Sequence, residues 1–320
     1  MRTVRNVHER VIQAPAEAVG ALLDRLSSPD DPLSPSPVWP PIRFDGPLAV
    51  GAVGGHGFVR YSVAAYEPGR RIRFDFPPPE NGFHALDVEP LADGSCRVRH
   101  VLEQRQNLKE ALVWSLAIRP MHDAMIEELL DNVVRAATPA APLTPFRWSR
   151  WPRLMHGLVW DRPTAVAPPV GAELAHRAWP APDYADAYQL PLDPGMPRTP
   201  EAWSGVLPFP VVASTPTELL LGKDASHLDF RASVLVADDK VTLTTVVKTH
   251  NWRGRLYFGA VRLLHPAMAR LMLRRTHRRL AFAAPSAPER LAGEGRLAGQ
   301  GSVGRSTAGQ RLAPVQEEAR

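Results

Sequence analysis

A single cysteine in 320 residues, Cys96, excludes an internal disulfide and points to a reducing compartment. Set in a strand-like run, it reads as a small buried hydrophobe and not as a nucleophile. No apolar run approaches the roughly 20 residues that span a bilayer. The opening MRTVRNVHERVIQ lacks an apolar core segment, so no signal peptide is expected and a cytoplasmic location is. GxSxG and Walker motifs are absent. GAVGGHG (51–57) is glycine-rich, but a strand follows it where phosphate cradling needs a helix. Local metal-ligand spacing is missing as well: His265 and His277 lie twelve apart, so neither metal nor cofactor is expected. Acids are absent from 240–288, which carries ten Lys/Arg, whereas 183–239 holds nine acids against three bases. The excess positive charge therefore belongs to one element.

What the chain does contain is an internal repeat. Trp114–Asp131 (WSLAIRPMHDAMIEELLD) and Tyr257–Arg274 (YFGAVRLLHPAMARLMLR) align without a gap. They share Ala117/Ala260, Arg119/Arg262, His122/His265, Ala124/Ala267, Met125/Met268 and Leu130/Leu273. Each follows a strand-like run and a polar turn, so one architectural unit is expected twice, each closing in a helix. Strand-like runs at 4–13, 56–66, 70–76, 83–91 and 96–104 are separated by EPG, PPPENG and ADG, with helices at 14–26 and about 108–136. The second half repeats this with strands near 209–213, 217–222, 227–237 and 240–248 and a helix at about 254–282. The pattern predicts an α+β chain of two tandem helix-grip-like domains, each an antiparallel sheet wrapped on a long C-terminal helix. Expected boundaries are 1–137 for the first domain and 138–182 for a proline-rich linker holding Trp148, Trp151 and Trp160. The second domain is expected over 183–283 and a disordered tail over 284–320.

Several segments carry family resemblances. PLAVGAVGGHGFVRYSV (47–63), AYEPGRRIRFDF (65–76) and FHALDVEPL, leading to LAIRPMHDAMIEELLDN (116–132), make the first half resemble the SRPBCC superfamily. That superfamily includes START-like lipid-binding and polyketide cyclase-like proteins. DYADAYQLPL (183–192), PFPVV (208–212), ELLLGKDASHLDFRASVLV (218–236) and TLTTVVKTHNWRGRLYF (242–258) make the second half similar to domain-of-unknown-function family 2867. The family's helical insert before PFPVV is reduced here to DPGMPRTPEAWSGVL, so the second cavity is expected to be shallow.

Strand parity puts Tyr61, Phe74, Phe76, His84, Leu86 and His100 on one face, with Trp114 and Met121 offered by the helix. Most of these read as core, and together they outline an apolar cavity with a few polar groups. His100 and Glu103 point to opposite faces and make a poor acid–base pair, so no catalytic residue is assigned. In the second half His227, Asp229 and Arg231 alternate on one face, and His250 and Asn251 sit where strand gives way to helix. The expected role is non-catalytic binding of an apolar small molecule or lipid. The alternatives are a cyclase- or dehydratase-type enzyme acting on a polyketide-like or aromatic substrate, and a membrane-docking interaction protein. Arg262, Arg270, Arg274 and Arg278 fall on one helical stripe, expected to be neutralised mainly by the acids of 183–239, with at most weak contact to anionic membranes. No nucleic-acid motif accompanies the charge, so no nucleic-acid partner is expected.

Overall fold

The structure, a computed structural model, describes residues 2–294. Its first half runs β1 (Arg2–Ile12), α1 (Ala16–Leu23), β2 (Arg43–Phe44), β3 (Val53–His56), β4 (Val59–Glu67), β5 (Arg71–Asp75), β6 (Asn81–Pro90) and β7 (Cys96–Gln106). A near-continuous helix follows: α2 (Leu108–Val113), one π-helical turn (Trp114–Ile118) and α3 (Arg119–Ala137). The seven strands form an antiparallel sheet in the order β1-β7-β6-β5-β4-β3-β2. Asn107 opens α2 with a reciprocal capping box on Glu110.

Period-two alternation explains the layering. Tyr61, Val63, Ile72, Phe74, Leu86, Val88 and Val98 are almost fully buried and meet Ile126, Leu129, Leu130 and Val133 of α3. Helix α1 closes the same core with Val19 and Leu23, and it approaches the β4–β5 turn so closely that a Cβ at Gly20 would sit 2.2 Å from the Gly69 carbonyl oxygen. Asp24 fixes that contact by accepting from the Gly69 N–H at 2.8 Å and the Tyr66 hydroxyl at 2.9 Å.

The second half has α4 (Arg150–Val159), β8 (Thr164–Val166), α5 (Glu173–Ala178), β9 (Tyr184–Pro191) and a 3-10 helix (Pro200–Val206). It continues with β10 (Val211–Ser214), β11 (Glu218–Asp224), β12 (Leu228–Ala237), β13 (Lys240–Thr249) and α6 (Trp252–Ala283). Its antiparallel sheet runs β10-β11-β12-β13-β9-β8. One face packs Leu190, Leu219, Leu221, Val234 and Leu243 against Trp203 and against Ala269 and Leu273 of α6. Residues 138–182, read from sequence as a linker, contribute α4, β8 and α5, and β8 extends this second sheet. Helix α5 lies on the sheet's other face, where the buried Glu218 carboxylate accepts from the N–H groups of Leu174 and Ala175. Of the expected tail, residues 287–294 are helical, and the remainder lies outside the described residues.

The two units therefore share one plan: an early strand pairs with the last (β1 with β7, β9 with β13), and the long helix after the last strand returns across the sheet. Both repeat segments lie in these closing helices, as the repeat predicts. The halves meet at an aromatic junction in which Trp39 stacks on Trp148 at 4.9 Å and His156 of α4 stands edge-on to both. Both indoles donate to Glu128 of α3, at 2.7 and 2.6 Å.

Candidate functional site

Two rungs of the first sheet bring imidazoles onto the face that α3 covers. Ile72, Leu86, His100 and His8 lie side by side across β5, β6, β7 and β1, and the next rung holds Phe74, His84, Leu102 and Asn6. Helix α3 adds His122 and Asp123 above them. The result is a chain of rings: His56 to Tyr61 (5.9 Å), Tyr61 to His84 (4.7 Å), His84 to His100 (5.7 Å), His100 to His122 (5.1 Å) and His122 to His8 (6.0 Å). Phe76 stacks on His84, and Trp114 flanks His122 at 5.6 Å.

The electrostatics of this line divide sharply. His84, His100 and His122 are held well below the ordinary imidazole range, first by burial and then by the neighbouring histidines; His56 falls to about 4 by burial and the Arg60 charge. His8 behaves oppositely. Burial would lower its pKa, but hydrogen bonds and charge from Asp123 (Nε2 to Oδ1, 3.0 Å) and Glu127 (Nδ1 to Oε1, 2.7 Å) outweigh this and raise it. Asp123 is lowered in turn: burial opposes, but His8 and the Asn6 amide hydrogen-bond to its carboxylate. Arg10 fastens Glu127 and Asp131, tying β1 to α3. Four buried polar atoms along the line find no hydrogen-bond partner among the described residues: Tyr61 Oη, His100 Nδ1, His122 Nδ1 and Asn6 Oδ1.

The structure thus brings together seven of the eight first-half candidates, while Met121 turns away to pack against Trp39 and Trp148 at the junction. Tyr61, Phe74 and Leu86 lie deep in the core, Trp114 and His100 are buried beside them, and Phe76 and His84 keep partial exposure. A cleft of about 420 Å³ in this unit lies on the opposite face of the sheet, among charged residues that include Arg5, Arg71, Asp87 and Arg99. His8, His56, His122, Asp123 and Glu127 escape a sequence reading because they converge from opposite ends of the unit. The available signals are the alternation of β1 and the identity of His122 with His265 in the repeat.

In the second unit, Arg231 lies on the face turned away from α6, where its guanidinium sits 5.1 Å from the Trp179 ring and pairs with Asp224 at 2.5 Å. His250 pairs with Asp229 at 3.1 Å, and the His227 ring stands edge-on to Tyr257. Asn251 is the N-cap of α6, accepting from the Gly254 N–H at 3.1 Å; a Cβ at Gly254 would collide with the His227 carbonyl. These five residues therefore fasten the strand ends and the helix start. The counterpart of the histidine line is instead His265, which meets Asp186 of β9 at 3.2 Å, while the Tyr184 hydroxyl donates to the same carboxylate at 2.7 Å. Asp186 is lowered because these bonds overcome the effect of burial. In both units the repeated histidine reaches the strand that pairs with the last one, β1 or β9.

The basic stripe requires a correction. Among the described residues, Lys248 with Asp183 is the only Lys/Arg of 240–288 in an ion pair with an acid. Arg274 donates to the carbonyls of Gly157 and Trp160 at the C-terminal end of α4, and Arg278 to that of Arg153 in the helix's first half, so both are absorbed by backbone carbonyls of this segment. Arg270 lies 4.7 Å from the Tyr188 ring centre, and Arg262 is exposed. Among the described residues no helix is long and apolar enough to cross a membrane.

Residues 130–272 match the family described as "Protein of unknown function (DUF2867)", a stretch that begins in α3 and takes in most of α6. No curated protein matches the chain. Among solved structures the chain is similar to a protein from Nitrosospira multiformis (19% identity, 42% of this chain and 97% of that one, TM-score 0.34). It is also similar to the Aha1 dimer from Colwellia psychrerythraea (13% identity, 43% and 99%, TM-score 0.32). A third is norcoclaurine synthase from Thalictrum flavum, solved with dopamine and hydroxybenzaldehyde (11% identity, 44% and 90%, TM-score 0.35). The helix-grip-like, α+β assignment rests on the strand order and helix placement above.

Proposed function

We propose that the first unit binds a small, largely apolar or aromatic molecule whose polar end meets the histidine line. The observation that carries this is the set of buried polar atoms without protein partners: Tyr61 Oη, His100 Nδ1 and His122 Nδ1. Leaving one such group unsatisfied costs about 1–3 kcal/mol. An apolar side chain of similar shape would avoid that cost, so the arrangement favours a ligand able to hydrogen-bond there. The slightly exposed Phe76 and His84 give the approach, and the apolar floor of Phe74 and Leu86 suits a ring or short chain. The oriented His8–Asp123 pair is what a cyclase- or dehydratase-type reaction would require, and turnover of the bound molecule would convert this reading into that one. Displacement of a fluorescent apolar probe by phenolic and fatty ligands tests the proposal. Phenolic ligands should lose at least about tenfold in affinity on His100→Leu or Tyr61→Phe, the fold-change of one buried hydrogen bond. Equal affinities in both variants would overturn it.

A second reading follows from the exposed apolar side chains. Leu256, Leu263, Leu264, Met268 and Leu271 of α6 are 47–77% exposed. Leu154 and Leu158 of α4 and Leu108, Leu112 and Leu116 beside it are exposed too. These helices touch: the Trp151 indole donates to the Leu116 carbonyl, and Arg274 joins α6 to α4. The surface is edged by Arg150, Arg153, Arg253, Arg255, Arg262 and Arg275, all exposed. A second copy of so basic a face would repel it, and nucleic acid would leave the leucines uncovered. An anionic lipid surface satisfies both features. Sedimentation with phosphatidylglycerol-containing vesicles at physiological salt should capture the protein, and Leu263→Asp/Leu264→Asp should release it. Binding only at low salt, or undiminished in the variant, would contradict docking through this face.

A further inference from the structure

We infer that His8, His122 and Asp123 form a binding site for a divalent transition-metal ion of the zinc class, with His100 beside its open side. The site lies on the proposed ligand-binding face, yet it stands separately from that reading, because a metal can bind whether or not an organic ligand does. One ligand atom from each of the three residues lies within 4.8 Å of the others. His8 Nε2 and Asp123 Oδ1 are 3.0 Å apart. Two ligands about 2.0–2.1 Å from a tetrahedral zinc ion stand roughly 3.3 Å from each other, so this pair is already spaced to chelate. The third ligand is an imidazole from the adjacent helical position, with a buried ring nitrogen, Nδ1, that has no partner among the described residues.

The surroundings have the character of a supporting shell. Glu127 Oε1 holds His8 Nδ1 at 2.7 Å, which leaves Nε2 aimed at the site in the carboxylate–histidine–metal arrangement. Arg10 pins the other oxygen of Glu127 at 2.6 Å, and the Asn6 amide donates to Asp123 Oδ1 at 2.9 Å. The ligands sit on mid-strand β1 and on α3, so they are held by regular backbone. Two imidazoles and one carboxylate suit zinc, cobalt or ferrous iron better than magnesium or calcium, which take oxygen ligands. Binding releases the proton shared by His8 Nε2 and Asp123 to solvent and puts the metal in its place. Three protein ligands leave a coordination position for water or for a ligand group reaching past His100, whose ring centre is 5.1 Å from that of His122.

The full chain, stripped with chelator, is titrated with Co²⁺ and then Zn²⁺ alone. One equivalent of Co²⁺ should bind with visible d–d absorption, and one equivalent of Zn²⁺ should bleach it. Asp123→Asn and His122→Gln should each weaken uptake by at least about tenfold and abolish the absorption, and Glu127→Gln should weaken it about 10–100-fold. His250→Gln, in the surface pair with Asp229, should change nothing. Should a variant fail to fold, imidazole NMR of the unaltered protein decides: Zn²⁺ should move the ring signals of His8 and His122 and leave those of His176 and His227. No saturable uptake, equal uptake in Asp123→Asn and His122→Gln, or shifts confined to the surface histidines would overturn the site.

Discussion

Taken from pH 7 to pH 5.5, the protein should lose stability steeply, well above the range in which carboxylates protonate. His84, His100 and His122 are held neutral far below the ordinary value of 6.5, His56 and His156 are lowered to about 4, and His277 is lowered too, in every case chiefly by burial. Below pH 6.5 the unfolded chain takes up protons that the folded chain refuses, so stability falls with pH until each folded value is reached. Each such histidine contributes a slope of up to about 1.4 kcal/mol per pH unit. His8 acts in the other sense. Its raised pKa gives a contribution that is complete below 6.5 and lost as pH rises through the folded value, so it adds no slope below 6.5 and opposes the fall only above that value. Below pH 6.5 the six together give a slope with an upper bound of roughly 8 kcal/mol per pH unit, comparable per unit to the whole stability of a domain. Urea unfolding midpoints between pH 7.5 and 5.5 measure it. His100→Leu should flatten the profile by about one proton's worth. A level profile would mean that the histidine line is hydrated and not buried.

Removing the Asp131 carboxylate should cost about 3–5 kcal/mol, the range for breaking a buried ion pair. Asp131 is 2% exposed, pairs with Arg10 of β1 and accepts from the Phe146 N–H at 2.7 Å. Asp131→Ala leaves the guanidinium with Glu127 alone and orphans a backbone donor. Arg10→Met/Asp131→Leu should recover a large part of the loss, because an apolar pair no longer carries the desolvation penalty. Denaturant unfolding of the two single variants and the double variant checks both statements. A loss below about 1 kcal/mol for Asp131→Ala would show that the clamp between β1 and α3 is solvent-screened.

The two closing helices were legible because the repeat spans a whole helix face, and β4 to β7 because each alternates over five or more residues between strong turn signals. Strands β2 and β8 are two and three residues long, too short to show a period. Proline density made 138–182 read as connection, although α4 there carries a strongly amphipathic pattern. Strand parity placed Tyr61, Phe74, Phe76 and Leu86 of the candidate site on one face, where they pack together. Its polar part had no such signal: His8 and Asp123 lie 115 residues apart and meet only when β1 pairs with β7 under α3. The anchoring of Arg274 and Arg278 had no signal in sequence, because backbone carbonyls of α4 accept from them where acidic residues were expected.

Native mass spectrometry of the full chain purified from its own host tests the central claim, that the histidine line of the first unit holds a small molecule. A single additional small-molecule mass is expected on the folded chain, lost in His84→Leu/His100→Leu while the folded charge-state distribution is kept. A bare chain mass in the unaltered protein, or the same bound mass retained in that variant, would contradict it.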